Sequence, residues 1–551
     1  MSQFRSVIGS DPASAAEHGN PAKGGIASVV SLLRNDITTQ SLTGEGLPCG
    51  ASFTTPQGKG ESEESRIFAK IFIPPPLHLR PSRQGVKGNF TFYEIIKIYF
   101  HKIGEHMKRT RVVIMGAAGR DFHNFQVCYR DDPSSEVVAF TAAQIPGIEN
   151  RLFPPELAGP LYPQGIPILP EEKLPEIVRS HSVQQVVFAY SDLAHVEVMH
   201  RASLALSLGT DFAFLGPERT MLKAAVPVVS VCAVRTGCGK SGVTERIWEV
   251  LHTRGIRSVV VRHPMPYCDL NRMRVERFAT MEDLDEYLCT VEEREEYEHL
   301  VTKGIIVYAG VDYEAILRAA EKEAQVILWD GGNNDFSFYK PDLEIVILDP
   351  HRPGHERLYH PGEVNFLRAD VLIINKADTA QNENIVKLQQ SAAAFNPKAA
   401  VVQTASRIYV SDGEKIRGKR VLVIEDGPTV THGGMAYGAG ALAAQKYGAA
   451  EMVNPRPFAK GSLRATMEQY PHLSNVLPAE GYFPEQLKDL ETTIRQTPCE
   501  MVIVATPIDL TRLISIAQPV LRVTYRVEDW GEPTLEQLVE NFIHRKGFVV
   551  S

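Results

Sequence analysis

An apolar run that leads into a glycine-rich loop constrains this chain more than any other part of its sequence. Residues 228–234 are almost entirely apolar, and the loop after them consists of Arg235, Thr236, Gly237, Cys238, Gly239, Lys240 and Ser241. In such a loop glycines let backbone N–H groups surround a phosphate, a lysine adds positive charge, and a serine can bind Mg²⁺. Although Val234 replaces the first glycine of the usual pattern, the strand–loop–helix order predicts a P-loop. A glycine-rich turn without a ligand is the alternative.

A second apolar run, at 326–330, ends in Asp330 and is followed by the loop 331–335. Behind a P-loop, an acid at the end of a buried strand is suited to hold Mg²⁺ directly or through water. We therefore predict that Asp330 and Ser241 are the metal ligands, and that the loop senses the γ-phosphate of a nucleotide. An ordinary turn residue is the alternative for Asp330.

A third apolar run, at 371–374, is followed by Asn375, Lys376 and Asp378. An Asn-Lys-x-Asp element at the end of a buried strand reads guanine in many P-loop GTPases. Asp378 could accept the ring N–H and the amine of guanine, and Lys376 could pack over the base. Residues 403–406 follow the next apolar run, where a backbone contact to the base is expected. A surface turn is the alternative interpretation.

Arginines and histidines are concentrated near the predicted strand ends, the edge at which α/β sheets bind ligands. Convergent arginines and histidines suit a multiply charged phosphate. We predict that Arg262 and His263 act in catalysis together with Lys240 and Asp330. We also predict a small anionic, phosphorylated substrate that is bound by Arg120, His351, Arg352, His355, Arg357 and His432. For any one of these residues, a solvated or internally paired side chain is the alternative.

Alternating strands and helices from Arg111 onward predict an α/β protein with mostly parallel sheets. We expect a Rossmann-like domain at 107–224, a P-loop NTPase domain at 225–418 and a smaller C-terminal α/β domain at 419–551. Residues 1–106 contain scattered Gly, Ser and Pro without sustained periodicity, which predicts a disordered, dispensable extension with one short helix near residues 90–101. The turn at 116–119 could receive an anion, with a tight strand-to-helix turn as the alternative.

Charge and cysteine content exclude several classes of protein. The formal net charge of −8 argues against a general nucleic-acid binder, and the acidic run at 292–298 is predicted to be a solvated helix face. The seven cysteines form no C-x-x-C pair, which argues against a zinc site or a disulfide framework. With neither a membrane span nor a secretory signal in the sequence, we expect a cytoplasmic protein. A homodimer is compatible with these features.

From Val112 to about Val527 the chain resembles the cyclic 2,3-diphosphoglycerate synthetase family. The resemblance rests on the runs 116–125, 233–241, 261–267, 329–335, 349–356 and 425–429. It implies a ligase that uses ATP and Mg²⁺ to close 2,3-diphosphoglycerate into an intramolecular phosphoanhydride, releasing ADP and phosphate. One substrate phosphate would be activated by the γ-phosphoryl group and displaced by its neighbour, so catalysis would require positioning and charge neutralisation rather than a covalent protein nucleophile.

Two alternatives follow from the residues themselves. The element at 375–378 favours GTP, whereas the resemblance implies ATP. Many relatives in this family are described only as GTPases, so a GTP-hydrolysing switch of the regulatory or metallochaperone type is the second functional hypothesis.

Overall fold

The computed structural model describes residues 109–548, except 144–147, 149, 264, 265, 267, 333, 334, 432 and 480–483. The predicted extension 1–106, its short helix and the predicted substrate ligand His432 therefore lie outside the described residues. Within the described residues, no helix is long and apolar enough to cross a membrane.

The first part of the described chain forms a six-stranded sheet in the order β3-β4-β2-β1-β5-β7, parallel except for β3. Its strands, with β6, are β1 Thr110–Met115, β2 Ser135–Ala142, β3 Arg151–Phe153, β4 Ile166–Pro170, β5 Gln185–Phe188, β6 Leu193–Ala194 and β7 Asp211–Phe214. The helices are α1 Arg120–Cys128, α2 Pro155–Ala158, α3 Leu174–His181, α4 His195–Ser207 and α5 Pro217–Thr220. This is the arrangement expected of a Rossmann-like segment.

The central part contributes nine strands. They are β8 Val228–Ala233, β9 Ser258–Arg262, β10 Glu276–Phe278, β11 Val307–Ala309, β12 Val326–Asp330, β13 Leu343–Leu348, β14 Tyr359–His360, β15 Val371–Ile374 and β16 Ala400–Val410. The helices between them are α6 Lys240–Thr253, α7 Met281–Glu286, α8 Val291–Val301, α9 Tyr313–Ala320, α10 Gly362–Arg368 and α11 Asn382–Phe395. Strands β8, β12 and β13 are buried along their whole length, as their continuous apolar sequences require.

The last part adds β17 Arg420–Glu425, β18 Glu451–Met452, β19 Leu477–Pro478, β20 Met501–Ala505 and β21 Val520–Asp529. Its helices are α12 Gly427–Val430, α13 Ala439–Lys446, α14 Gly461–Gln469, α15 Pro484–Gln496 and α16 Leu535–Arg545. These strands join those of the central part in one sheet in the order β10-β11-β9-β12-β8-β13-β15-β16-β21-β20-β17-β18, with β19 beside β17. Strand β14 lies outside this sheet and pairs with β6. The predicted α/β fold with mostly parallel sheets is confirmed.

The central and last parts of the chain are joined through strand β21. Strand β21 pairs antiparallel with β16 and parallel with β20, and α16 packs into the same apolar core as the P-loop strand β8. The ends of β8, β12 and β17 therefore belong to one continuous sheet. The predicted domain limits fall in the loops before β8 and β17, and they stay predictions.

Candidate active site

The predicted P-loop joins the end of β8 to the start of α6. Gly237 and Gly239 have φ angles of +80° and +99°, in the left-handed region that favours glycine. A Cβ atom on Gly239 would lie 2.4 Å from Nδ2 of Asn375, so close packing also requires glycine there. Helix α6 begins at Lys240, which leaves its first backbone N–H groups free to bind an anion. This loop lines a cavity of about 200 Å³.

The element at 375–378 holds the P-loop from behind. Asn375 Nδ2 donates to the Cys238 carbonyl oxygen at 2.9 Å, and Lys376 Nζ donates to the Gly237 carbonyl oxygen at 2.6 Å. Lys376 Nζ also lies 3.2 Å from Asp349 Oδ2. Burial alone would raise the pKa of Asp349, but Lys376 and Arg352 hold that pKa below its usual range. The lysine is therefore fixed to the loop that it supports.

Asp378 is the last residue of this element and is the one predicted to hydrogen-bond the guanine base. Its side chain is 8% exposed, and its Oδ1 accepts the backbone N–H of Ser406 at 3.1 Å. Lys376, Thr379 and Ser406 line the same cavity as the P-loop. The residues predicted to contact the base are thus brought together, and their role stays a prediction.

Asp378→Ala is expected to lower GTP affinity at least about tenfold and to leave ATP affinity nearly unchanged. The reason is that guanine would lose a charge-assisted acceptor for two N–H donors, whereas adenine offers no such donor at the ring position. Competition binding of both nucleotides to the wild type and the variant measures this. GTP affinity that does not change would contradict base recognition by Asp378.

The predicted metal ligands lie beside Arg262. Asp330 and Arg262 are paired residues at the ends of β12 and β9, and the Arg262 guanidinium contacts the Asp330 carboxylate and lies 3.2 Å from Ser241 Oγ. The other carboxylate oxygen of Asp330 is buried and has no hydrogen-bond partner among the residues that the structure describes. The guanidinium also pairs with Glu296.

These residues fit Mg²⁺. Arg262 contacts both side chains, and the unpartnered Asp330 oxygen and the Ser241 hydroxyl are hard oxygen donors of the kind that the ion prefers. Among the described residues no group of three or more His, Cys, Asp or Glu side chains could hold a metal by itself. Mg²⁺ is commonly held by one or two protein oxygens with phosphates and water completing the shell, so the two residues are compatible with the ion, and their role as its ligands stays a prediction.

His263 and Arg120 belong to a buried network behind the cavity. His263 Nε2 lies 3.1 Å from Asp335 Oδ2, and Arg120 pairs with the same carboxylate. The Arg120 guanidinium also lies 3.9 Å from the ring centre of Phe336. A Cβ atom on Gly119 would overlap the His263 ring, so α1 approaches this network closely. The network connects the first sheet to the loop after β12, and neither Arg120 nor His263 is among the residues that line the cavity.

The turn at 116–119 is filled by the chain itself. Asp121 Oδ1 accepts the backbone N–H groups of Ala118 at 2.6 Å and of Phe122 at 2.7 Å. A carboxylate thus takes the position that an external anion would occupy. The turn interpretation is favoured over the anion-binding one.

The remaining predicted substrate ligands are mostly paired internally. Arg352 Nη2 donates to the Thr236 carbonyl oxygen at 2.8 Å, and Arg357 pairs with Glu363. Burial lowers the pKa of His355 to about 4, so this side chain is neutral near pH 7. Of the predicted ligands that the structure describes, His351 lines the cavity, whereas Arg120, Arg352, His355 and Arg357 are not among its lining residues.

Arg235 lines the cavity but is held by the first part of the chain. Its Nε donates to Asp192 Oδ1 at 2.8 Å, and its guanidinium lies 3.6 Å from the ring centre of Tyr359. The backbone N–H of Thr236 donates to the same aspartate at 3.3 Å. Asp192 therefore positions the start of the P-loop.

The acidic run at 292–298 is not a solvated helix face, and that prediction was wrong. Glu292, Glu293, Glu295 and Glu298 are each at most 6% exposed, because α8 is covered by the last part of the chain. Glu293 closes a capping box with Thr290. Glu295 Oε1 accepts the hydroxyl of Thr506, just beyond β20, at 3.0 Å.

Glu295 and Glu296 form an acidic wall of the cavity together with Glu425 and Asp426. This acidic wall, which sequence reasoning missed, faces the same space as Lys240 and Ser241. The side chain of Asp426 caps α12 by accepting the backbone N–H of Thr429 at 3.1 Å. The signal that could have revealed the wall is the Glu425-Asp426 pair at the end of an apolar run.

Glu425 is 1% exposed and accepts three backbone N–H groups, those of Gly438, Gly440 and Ala441, at 2.8–3.2 Å. Burial raises the pKa of Glu425 to about 7. The three N–H donors lower this pKa, and the charge of Asp426 raises it further. The Glu425 carboxyl group therefore titrates near neutral pH while it stays fixed at the start of α13.

The raised pKa of Glu425 makes the folded state less favourable as pH increases. Between pH 4.5 and about 7 the folded state keeps a proton that the unfolded state releases, so this residue lowers the free energy of unfolding across that window. The stability of Glu425→Gln relative to the wild type should rise by roughly 3 kcal/mol between pH 4.5 and 8. Denaturant unfolding of both proteins at the two pH values measures it, and a difference independent of pH would contradict it.

Comparison with known proteins identifies a relative that spans nearly the whole described chain. No family model matches the sequence. The arginine synthetase ArcE of Thermococcus kodakarensis is 58% identical over 435 residues, which cover 79% of this chain and 97% of that protein.

Two solved structures show much weaker likenesses. LpxK from Aquifex aeolicus in complex with ATP has a TM-score of 0.36 at 14% identity, covering 64% of this chain and 96% of that one. A UDP-N-acetylmuramate tripeptide ligase from Neisseria meningitides has a TM-score of 0.25 at 12% identity, covering 54% and 78%. These scores carry no inference about ligands.

The prediction that this chain belongs to a family of synthetases is confirmed by the 58% identical relative, whereas the predicted cyclisation reaction is not. The relative is named for arginine and not for cyclic 2,3-diphosphoglycerate. By its identity over nearly the full length of that relative, this chain belongs to the family of the arginine synthetase ArcE.

Proposed function

We propose that this protein is a nucleotide-dependent synthetase that forms arginine. The main support for the proposal is that the P-loop and the acidic wall line the same cavity. The P-loop suits the phosphates of a nucleotide, and the acidic wall suits a cationic partner. The name of the 58% identical relative supports arginine as that partner.

The chemistry of the guanidinium group indicates what the reaction requires. Its central carbon carries three nitrogens, so a ligase that adds the last nitrogen must remove an oxygen from that carbon. The corresponding acceptor is a ureido compound, which for arginine is citrulline. Transfer of the γ-phosphoryl group to the ureido oxygen makes that oxygen a leaving group. Attack by a nitrogen nucleophile then forms the C–N bond, breaks the C–O bond and releases phosphate, while the nitrogen loses its surplus proton to a base.

The residues of this chain can support each part of this sequence. Lys240 and the N–H groups of the P-loop would bind and neutralise the phosphates. Ser241 and Asp330 would hold Mg²⁺, which supplies charge neutralisation at the transferred phosphoryl group when it is bound. Glu425, which lines the cavity and whose pKa burial raises to about 7, is suited to receive the proton.

Cyclisation of 2,3-diphosphoglycerate with ATP is the second candidate, as the sequence resemblance implies. Arg235, His351 and Lys376 line the cavity on the P-loop side, which favours an anion there. The acidic wall weighs against this candidate, since its carboxyl groups repel a phosphate when they are ionised and offer it no positive charge when they are protonated. A GTPase switch would need no such wall.

A turnover assay with three arms tests the proposal. The full-length protein is incubated with ATP or GTP and Mg²⁺, and diphosphate nucleotide release is followed with citrulline plus an ammonium salt, with 2,3-diphosphoglycerate, or with neither. We expect stimulated turnover and arginine in the first arm. Cyclic product in the second arm would favour the cyclase, and equal turnover in all arms would favour the GTPase.

A further inference from the structure

Three carboxylates of the acidic wall have no cationic partner. Glu295, Glu425 and Asp426 receive only hydroxyl and backbone N–H donors. In the part of the chain that the structure describes, no lysine, arginine or histidine lies within ion-pair distance of any of them. The nearby Arg262 is occupied by Asp330 and Glu296. Without a cation, burial raises the pKa of all three carboxyl groups, and a bound cation would favour their ionised forms.

Glu295 is the member of this wall that is best placed to bind a ligand. Its side chain is 6% exposed and lines the cavity. One of its oxygens accepts the Thr506 hydroxyl, and the other has no hydrogen bond within the described residues. Since Glu295 lines the cavity, a donor on a bound ligand can reach this second oxygen.

The position of the wall links it to the site of phosphoryl transfer. Tyr525 lines the same cavity, and burial together with the Asp426 charge raises its pKa to about 12, an effect that Arg262 opposes. A Cβ atom on Gly242, the residue after Ser241, would lie 3.5 Å from Cε2 of Tyr525, so the Tyr525 ring packs against the start of α6. A group bound to the carboxylates would sit beside the end of the P-loop where Ser241 and Asp330 lie.

We infer that Glu295 and Asp426 form the subsite that binds the guanidinium group of arginine. A planar guanidinium offers paired N–H donors that match a carboxylate. This inference rests on the proposed function and adds to it the residues that select positive charge. Because the acceptor is neutral and the product is a cation, the same contacts strengthen as the nitrogen adds, which accelerates the reaction.

Calorimetric titration of the full-length protein with arginine and with citrulline, its uncharged isostere, tests the subsite without turnover. In the wild type, arginine should bind at least about tenfold more tightly than citrulline. In Glu295→Gln, arginine affinity should fall at least about tenfold and citrulline affinity should change little. Glu298→Gln is the matched control, since Glu298 lies on the same helix, is equally buried and does not line the cavity.

The nucleotide affinity and the unfolding midpoint of each variant show whether it is folded. If Glu295→Gln does not fold, Asp426→Asn replaces it in the comparison. A wild type that binds citrulline as tightly as arginine would overturn the inference, as would an unchanged arginine affinity in both variants. Either result would leave the proposed function standing if the wild type still forms arginine. A wild type that forms no arginine and binds neither compound would overturn both.

Discussion

Replacing Lys240 with alanine should reduce nucleotide turnover by at least about a hundredfold and leave the fold intact. Lys240 lies at the end of the P-loop, beside Asp330 and Arg262, and burial lowers its pKa. It supplies no apolar packing, and its removal deletes a partly desolvated cation. The unfolding midpoint should therefore be equal to or higher than that of the wild type, even though catalysis is lost.

Coupled detection of diphosphate nucleotide release gives the rate, and thermal unfolding gives the midpoint. Lys340→Ala is the control, because Lys340 is 61% exposed and pairs with Glu218 on the surface. The control should keep the rate of the wild type. A Lys240→Ala protein with most of its turnover would show that the P-loop assignment is wrong.

Asp330→Asn should lower turnover by a similar factor and raise the Mg²⁺ concentration needed for half-maximal activity. The substitution keeps the size of the side chain but replaces one of two carboxylate oxygens with an amide nitrogen, which cannot bind a metal ion as a carboxylate oxygen does. Arg262 keeps its ion pair with Glu296, so the variant should still fold. Titration of activity with Mg²⁺ at saturating nucleotide measures the change.

Asp342→Asn is the matched control for this variant. Asp342 Oδ2 accepts the backbone N–H of Val228 at the start of β8, the opposite end of the strand from the P-loop. Its substitution should leave the Mg²⁺ requirement unchanged. If the two variants have the same Mg²⁺ dependence as the wild type, Asp330 does not bind the metal.

The P-loop side of the site could be predicted because its signals are local. The apolar run of β8, the glycines and Lys240 are adjacent in sequence, and the Asn-Lys-x-Asp element follows its own strand. The structure places Asn375 and Lys376 against the loop, with their side chains bonded to its carbonyl oxygens. Continuous apolar strands likewise indicated a sheet buried on both faces, which is the observed arrangement.

The acidic wall could not be predicted because its members meet only in the folded chain. Seven residues rich in glutamate on one helix are typical of a solvated surface, and nothing near residue 295 signals that β20 and Thr506 will cover it. The internal pairing of the arginines could not be predicted for the same reason. Arg120 and Arg352, which were predicted to bind the substrate, pair with Asp335 and Asp349, and their role stays a prediction.

The fate of the ureido oxygen tests the central claim most directly. Citrulline labelled with ¹⁸O in its ureido group is incubated with the full-length protein, nucleoside triphosphate, Mg²⁺ and an ammonium salt, and the released phosphate is analysed by mass spectrometry. We expect one ¹⁸O atom in each phosphate released and one arginine formed per diphosphate nucleotide. Unlabelled phosphate, or nucleotide turnover without arginine, would contradict an account in which the γ-phosphoryl group is transferred to the acceptor oxygen.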